Sequence, residues 1–379
     1  MPMSPSALAR PAMAGGPVPP RGTRSITLDT PFRFHRGGEL PRLEIAYETW
    51  GTLNTARDNA VLIFTGLSAN AHAATSVCDP QPGWWEYMLG AGKPLDTSRH
   101  YVICVNSLGS CYGSSGPASL DPVSGQPYGP DFPRLSVEDI AAAGRALTQA
   151  LGLRRLSAVV GASLGGMSAL AFALQTPDAL RRLVLISSAA HPTAHAIAMR
   201  SLQREIVRAD PAWADGRYRP PGPVEGMRLA RKLGISCYRS PEEWEQRFGH
   251  RRAAARAASD QFEVESYLEH NATKFALGFD ANAYLALSRA MDDFDAADHG
   301  EGDLAAALAR LQGLEALVIG VRSDTLFPES QQRALADGLR AVGAKVRYAA
   351  LESPQGHDAF LIDEARFGPV VRAFFADTH

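Results

Sequence analysis

The chain has 379 residues, 45% of them hydrophobic and 21% charged, with a formal net charge of −2. That is enough apolar content for a large core, and the near-neutral balance gives no electrostatic reason to expect nucleic acid or an anionic membrane as partner. No apolar run approaches the roughly 18 residues of a membrane span. The four cysteines lack C-x-x-C spacing and read as reduced thiols of a cytoplasmic protein, with Cys111 a loop residue rather than a reactive thiol. The ten histidines form no H-E-x-x-H pattern, so no metal is expected.

Residues 1–24 are rich in Pro, Ala and Gly without periodicity, the composition of a disordered tail, and Arg10 and Pro11 interrupt any signal-peptide core. Arg42 to Trp50 alternates as a half-exposed strand, and Asn59 to Phe64 is continuously apolar, as a strand covered on both faces would be. The loop Thr65 to His72 follows; His72 is read as packing rather than catalysis. Tyr101 to Asn106 is a further buried strand, and the Gly/Ser/Pro segment Ser107 to Pro133 is long enough to shape a cleft. Ser136, with Asp139 three residues on, opens a helix from Val137 to Leu151. Then comes Leu156 to Leu170, LSAVVGASLGGMSAL: a short β-branched run, a tight turn and a buried helix from Met167 to Gln175. This strand-turn-helix string is a nucleophile elbow that lifts Ser163 above the sheet, with Gly161 and Gly165 where a Cβ would collide with strand and helix. Leu180 to Ser187 completes the first run of strands. From Ala190 to Leu311 only helical stretches appear: Ala194 to Arg208, Glu225 to Leu233, Pro241 to Arg247, Phe262 to Phe275 and Asn282 to Met291. Strands resume at Ala316 to Val321 and Lys345 to Ala350, with an amphipathic helix between them.

The alternation predicts an α/β protein, a mostly parallel, doubly wound sheet over 25–189 and 312–379 with an inserted helical cap at 190–311. A serine nucleophile needs a base and an acid to orient it. Asp324 follows the strand ALVIGV and His357 follows the last strand, so Ser163, Asp324 and His357 stand at strand ends in the α/β-hydrolase order. In that arrangement the oxyanion N–H groups come from the residue after the nucleophile, Leu164, and from the loop after the third strand, where Leu67 is the candidate.

The chain resembles the homoserine O-acyltransferase family from Arg36 to the C-terminus. The strings that carry the resemblance are AYETWGTLN, GWWE, GKPLDT, NSLGSCYGSSGP, GASLGGMSAL, LARKLG, YRSPEEWEQRFG, FEVESYL, FDANAYL, SDTLFP and GHDAF. The family implies transfer from an acyl-CoA to an amino-acid hydroxyl through an acyl-serine, with no resident cofactor, in a homodimer. The loop Gly66, Leu67, Ser68, Ala69 and the run AMRSLQRE depart from the homoserine acetyltransferase pattern and look like the L-serine O-succinyltransferase branch. There the loop governs the amino acid and Arg200 the acyl donor, Arg231 contacts the substrate carboxylate and Asp358 its ammonium. Succinyl carries a distal carboxylate that acetyl lacks, and an arginine fork suits it. The expected reaction joins succinyl-CoA and L-serine into O-succinyl-L-serine for cysteine synthesis. L-homoserine as acceptor, acetyl-CoA as donor, a plain esterase and a non-catalytic binding protein remain as alternatives.

Overall fold

A computed structural model describes residues 17–253 and 260–376. Eight strands form one sheet: β1 Arg24–Leu28, β2 Leu43–Trp50, β3 Ala60–Phe64, β4 Tyr101–Val105, β5 Ala158–Ala162, β6 Arg182–Ile186, β7 Glu315–Val321 and β8 Lys345–Leu351. Their spatial order is β1-β2-β4-β3-β5-β6-β7-β8. The pairs β1–β2 and β2–β4 are antiparallel and the rest parallel. Every residue of β3, β5 and β6 is buried because both faces are covered. Along β3 the faces alternate: Leu62 and Phe64 point to one core, Val61 and Ile63 to the other.

The helices are α1 Val137–Ala150, α2 Leu164–Gln175, α3 Ala194–Ala209, α4 Val224–Tyr238, α5 Pro241–Arg247, α6 Glu263–Gly278, α7 Ala281–Asp293, α8 Leu304–Ala309, α9 Glu329–Ala341, α10 Ala359–Ile362 and α11 Glu364–Ala376. Ser136 caps α1 through a reciprocal pair with Asp139, as its sequence predicts. Helix α2 begins at Leu164, three residues earlier than the apolar pattern suggested, because the glycines of the turn are already helical. The cap packs α3 against α4 and α7, and α4 against α6.

The sequence reading needs correction at two boundaries and one loop. Pro17 to Thr23 belong with the core, not the tail: the Arg21 N–H donates to Asp79 Oδ2 at 2.9 Å, and Gly22 is buried against Glu48. Arg24 then opens β1, an edge strand too polar on its exposed side to show an apolar pattern. Residues 1–16 lie outside the described residues. At the other end of the cap the chain returns at Ala296, whose N–H donates to Ala190 O at 2.8 Å, and α8 packs on α9 in the core. The segment 107–133 does not line the cleft around Ser163; it braces the cap, Tyr112 Oη donating to Gly278 O at 2.9 Å and Cys111 Sγ accepting from the Asp280 N–H. Burial pushes the Cys111 thiol up to about 12, so it is not a thiolate.

The crossing of β5 and α2 is the tightest point. A Cβ on Gly161 would stand 2.0 Å from Gly165 O, and one on Gly165 would stand 2.2 Å from Phe64 O, both rigid backbone atoms. Gly278, at the end of α6, has nothing within 4 Å of the same added atom. Gly165→Ala should therefore cost about 1–3 kcal/mol or more, and Gly278→Ala should be neutral or gain up to ~1 kcal/mol. Thermal or denaturant unfolding of the two variants checks the contrast.

Candidate active site

Ser163 occupies the N-cap position of α2 with φ 55° and ψ −126°, a strained backbone for a residue with a Cβ. The strain is held by hydrogen bonds on both sides: the Ser163 N–H donates to Ile186 O at 3.0 Å, and its carbonyl accepts from the Gly166 N–H at 2.9 Å and Ser188 Oγ at 3.1 Å. Its side chain makes no cap bond to the helix. Instead its Oγ lies 2.9 Å from His357 Nε2, and His357 Nδ1 lies 2.7 Å from Asp324 Oδ2. Ionised Asp324 only accepts, so Nδ1 carries the ring proton, Nε2 is the free base, and the Ser163 hydroxyl donates to it. The other Asp324 oxygen, Oδ1, accepts the Leu326 and Phe327 N–H groups at 2.9 Å each, which fixes the carboxylate. Phe327 stacks on the His357 ring at 5.1 Å and Phe360 meets its edge at 5.7 Å. Burial opposes a charged His357, but the Asp324 charge and hydrogen bond outweigh it, and the imidazole pKa stands above its ordinary value.

The candidate oxyanion donors are main-chain groups. Leu164 opens α2, so its N–H has no acceptor inside the helix. The Leu67 N–H, on the loop after β3, makes no hydrogen bond to another described residue. That loop is anchored at its far end by His72. Nε2 of that ring faces Gln81 O at 2.7 Å and Nδ1 faces Glu48 Oε2 at 2.8 Å. Burial works against its charge, yet the two acceptors raise its pKa, and the ring is a structural anchor as its sequence context suggested.

One cavity of about 130 Å³ gathers most of the residues singled out by sequence. Gly66, Leu67, Ser68 and Ala69 form one wall, Ser163, His357 and Asp358 the floor, and Arg200 and Arg231 reach in from the cap. A Cβ on Gly66 would meet nothing within 4 Å, so there is open space beside this lining residue. Asp324 and Leu164 are not among the lining residues: Asp324 sits behind His357, and Leu164, fully buried, follows Ser163 as the first residue of α2. A larger cavity of about 490 Å³ between Pro117 and the start of α7 contains none of these groups, so volume alone does not locate the chemistry.

The charged residues are arranged unequally. Arg200 Nε lies 2.5 Å from Asp292 Oδ1, and Arg204 Nη1 lies 2.6 Å from Asp292 Oδ2, all three side chains being buried. Arg200 Nη2 is buried with no partner. Arg231 forms no ion pair among the described residues; its guanidinium rests on the Phe275 ring at 4.3 Å and the Tyr238 ring at 5.4 Å, leaving Nε buried and unpartnered. Asp358 has an internal neighbour the sequence did not reveal, Arg239 Nε at 3.4 Å, which also pairs with Glu243. Burial raises the Asp358 pKa, against Arg239, His357 and Arg231, which lower it. Sequence reasoning also missed Trp84, Gln203 and Tyr238 on the cavity wall. Gln203 is three residues after Arg200 and Tyr238 seven after Arg231, so helical spacing would have found both.

Together these elements can activate a serine hydroxyl, hold an oxyanion and bind carboxylates beside them, the equipment for acyl transfer. The chain belongs to the α/β-hydrolase fold family, whose pattern matches residues 59–363. It is 57% identical over 363 residues to the serine O-succinyltransferase of Litchfieldella anticariensis, covering 94% of this chain and 99% of that one. It is 54% identical over 368 residues to the L-serine/homoserine O-acetyltransferase of Streptomyces lavendulae, covering 95% and 98%. Among solved structures it superposes on the homoserine O-acetyltransferase of Bacillus anthracis with a TM-score of 0.85 at 27% identity, over 93% and 96% of the two chains. The acyltransferase resemblance drawn from the sequence motifs is thereby borne out. No helix among the described residues is long and apolar enough to cross a membrane.

Only neutral His357 can accept a proton. The acylation kcat/KM should therefore rise with pH through a pKa above the ordinary histidine value of about 6.5 and level off beyond it. Asp324→Asn removes the charge that raises this pKa, so the acid limb should move to lower pH while the rate drops roughly 10⁴-fold. A limb that stays in place in the variant would assign the titration to another group.

Proposed function

We propose that this protein is an L-serine O-succinyltransferase that moves succinyl from succinyl-CoA to the L-serine hydroxyl through an acyl-Ser163 intermediate. The observation that carries the reading is one of charge. Arg200 and Arg204 share the single carboxylate of Asp292, leaving one buried positive charge without a counter-ion on the wall of the Ser163 cavity. A buried charge in that state calls for an anion. The distal carboxylate of a succinyl group supplies one and an acetyl group does not. Three relatives, 57%, 53% and 50% identical, carry the name serine O-succinyltransferase, which supports the same reading.

In the proposed reaction His357 Nε2 takes the Ser163 proton as Oγ attacks the thioester carbonyl. The oxyanion rests on the Leu67 and Leu164 N–H groups. Collapse breaks the C–S bond, and His357 returns the proton to the departing CoA thiolate. L-Serine then enters, its carboxylate on Arg231 and its ammonium near Asp358, with the Gly66 to Ala69 loop setting the room for its side chain. His357 removes its hydroxyl proton, the alkoxide attacks the acyl-enzyme, and Ser163 recovers its proton as O-succinyl-L-serine leaves. The product ester makes the serine oxygen a leaving group, which suits replacement by sulfur in cysteine synthesis. Succinyl-CoA is a co-substrate in this scheme, and no step uses a cofactor or metal. A cytoplasmic homodimer is part of the proposal, supported by four free cysteines and by the exposed apolar side chains Ile197, Leu202 and Leu229 on α3 and α4.

The name of the Streptomyces lavendulae relative favours one rival, acetyl transfer to serine or homoserine. Thiol release with succinyl-CoA or acetyl-CoA against L-serine or L-homoserine, with product mass read in each case, decides among the four. O-Succinylserine should dominate; a homoserine or acetyl product would replace that substrate assignment while leaving the acyl-enzyme chemistry intact. In Arg200→Ala, Asp292 keeps Arg204 as its partner, so the fold should survive. Succinyl transfer should fall roughly 10- to 100-fold while acetyl transfer changes little. Equal losses on the two donors would remove Arg200 from carboxylate recognition.

A further inference from the structure

We infer that Gln203 is a second recognition group for the distal carboxylate of the acyl donor, working beside Arg200, and that Tyr284 holds its amide for that task. The inference rests on the succinyl reading above and extends it to two residues to which the sequence motifs assigned no individual role. Arg200 and Gln203 are three residues apart on α3, hence on one face, and both line the cavity that holds Ser163. Gln203 is 4% exposed, so its amide is not a solvated surface group. Its Oε1 accepts from Tyr284 Oη at 2.6 Å. Tyr284, on α7, is itself buried, and that burial pushes its phenol far above the ordinary range, so it remains a donor.

With the carbonyl oxygen engaged, the polarity of the Gln203 amide is set. Among the described residues, Oε1 has Tyr284 as its partner and no bond is made by Nε2. Arg200 Nη2, which is fully buried, has no partner either. The cavity wall on α3 thus presents two donors and no acceptor, one of them charged. A carboxylate has two oxygens that only accept, so a single distal carboxylate satisfies both donors, whereas an acetyl methyl satisfies neither. Tyr284 touches no substrate in this scheme; it is a positioning residue that keeps the amide from turning its oxygen toward the anion.

The test compares kcat/KM for succinyl-CoA and acetyl-CoA with the same acceptor. Gln203→Leu should lower succinyl transfer roughly tenfold or more and acetyl transfer by less than about threefold. Tyr284→Phe frees the amide to rotate and should move the ratio in the same direction by a smaller factor. Gln203→Glu keeps an oxygen for Tyr284 but sets a carboxylate against the donor's own, so it should depress succinyl transfer more than Gln203→Leu does. It also serves as the second variant if the leucine side chain disturbs folding. A succinyl-to-acetyl ratio that stays at the wild-type value in the folded variants would overturn the role of Gln203 while leaving the succinyltransferase reading standing. Wild-type protein that does not use succinyl-CoA would instead overturn that reading, and this inference with it.

Discussion

The approach of β5 to α2 is the constraint on which everything else depends. Two glycines let the helix start within van der Waals contact of the strand, and the residue between them must take a positive φ to make the turn. That geometry separates the Ser163 side chain from the helix it caps and leaves the first N–H groups of α2 unpaired at the same point. A nucleophile and a site for negative charge therefore come from one local fold, before any other residue is considered. The cost, of order 1–3 kcal/mol for such a backbone, is offset by the bonds to Ile186, Gly166 and Ser188 that hold the turn in place.

Around that turn the work divides between core and cap. Loops at the strand ends supply the base, its orienting carboxylate and the candidate oxyanion donors, groups that treat any acyl ester alike. In the proposed reaction, guanidinium groups from α3 and α4 supply the charge that separates one acyl donor or acceptor from another. The two layers are tied together where the cap meets the histidine loop: Gly356 has φ 61° and lies so close to Tyr238 O that a Cβ would stand 2.5 Å from it. Ser240 Oγ bonds Pro354 O across the same seam, so the position of His357 and that of the cap are not independent.

Most of the core was legible in the sequence because its signals are local. Continuous apolar runs mark the parallel strands, and the glycine turn marks the elbow. Asp324 and His357 were found because each follows a strand directly. What stayed hidden depends on packing between distant segments. β1 is a polar edge strand recognisable only once β2 lies beside it, and Pro17 to Thr23 are ordered by Asp79 and Glu48 far along the chain. The segment 107–133 reads as a cleft loop from length alone, yet its contacts run to Gly278 and Asp280 at the cap. The sharing of Asp292 by Arg200 and Arg204 likewise needs α7 laid against α3, and no sequence period announces it.

The remaining physical problem for such a site is water. His357 would deprotonate any hydroxyl delivered to it, so a base alone cannot prefer an amino acid to solvent. Preference has to come from position: a zwitterion bound at both ends holds its hydroxyl at an effective concentration that free water does not match. Arg231 suits one end because its charge is held by aromatic faces rather than by a carboxylate, and so remains available. Asp358 is a weaker fixed anion, since Arg239 already lies 3.4 Å away and burial raises its pKa. In this scheme the cation therefore supplies most of the orientation, and the carboxylate completes it once the incoming ammonium joins Arg239 in keeping Asp358 ionised.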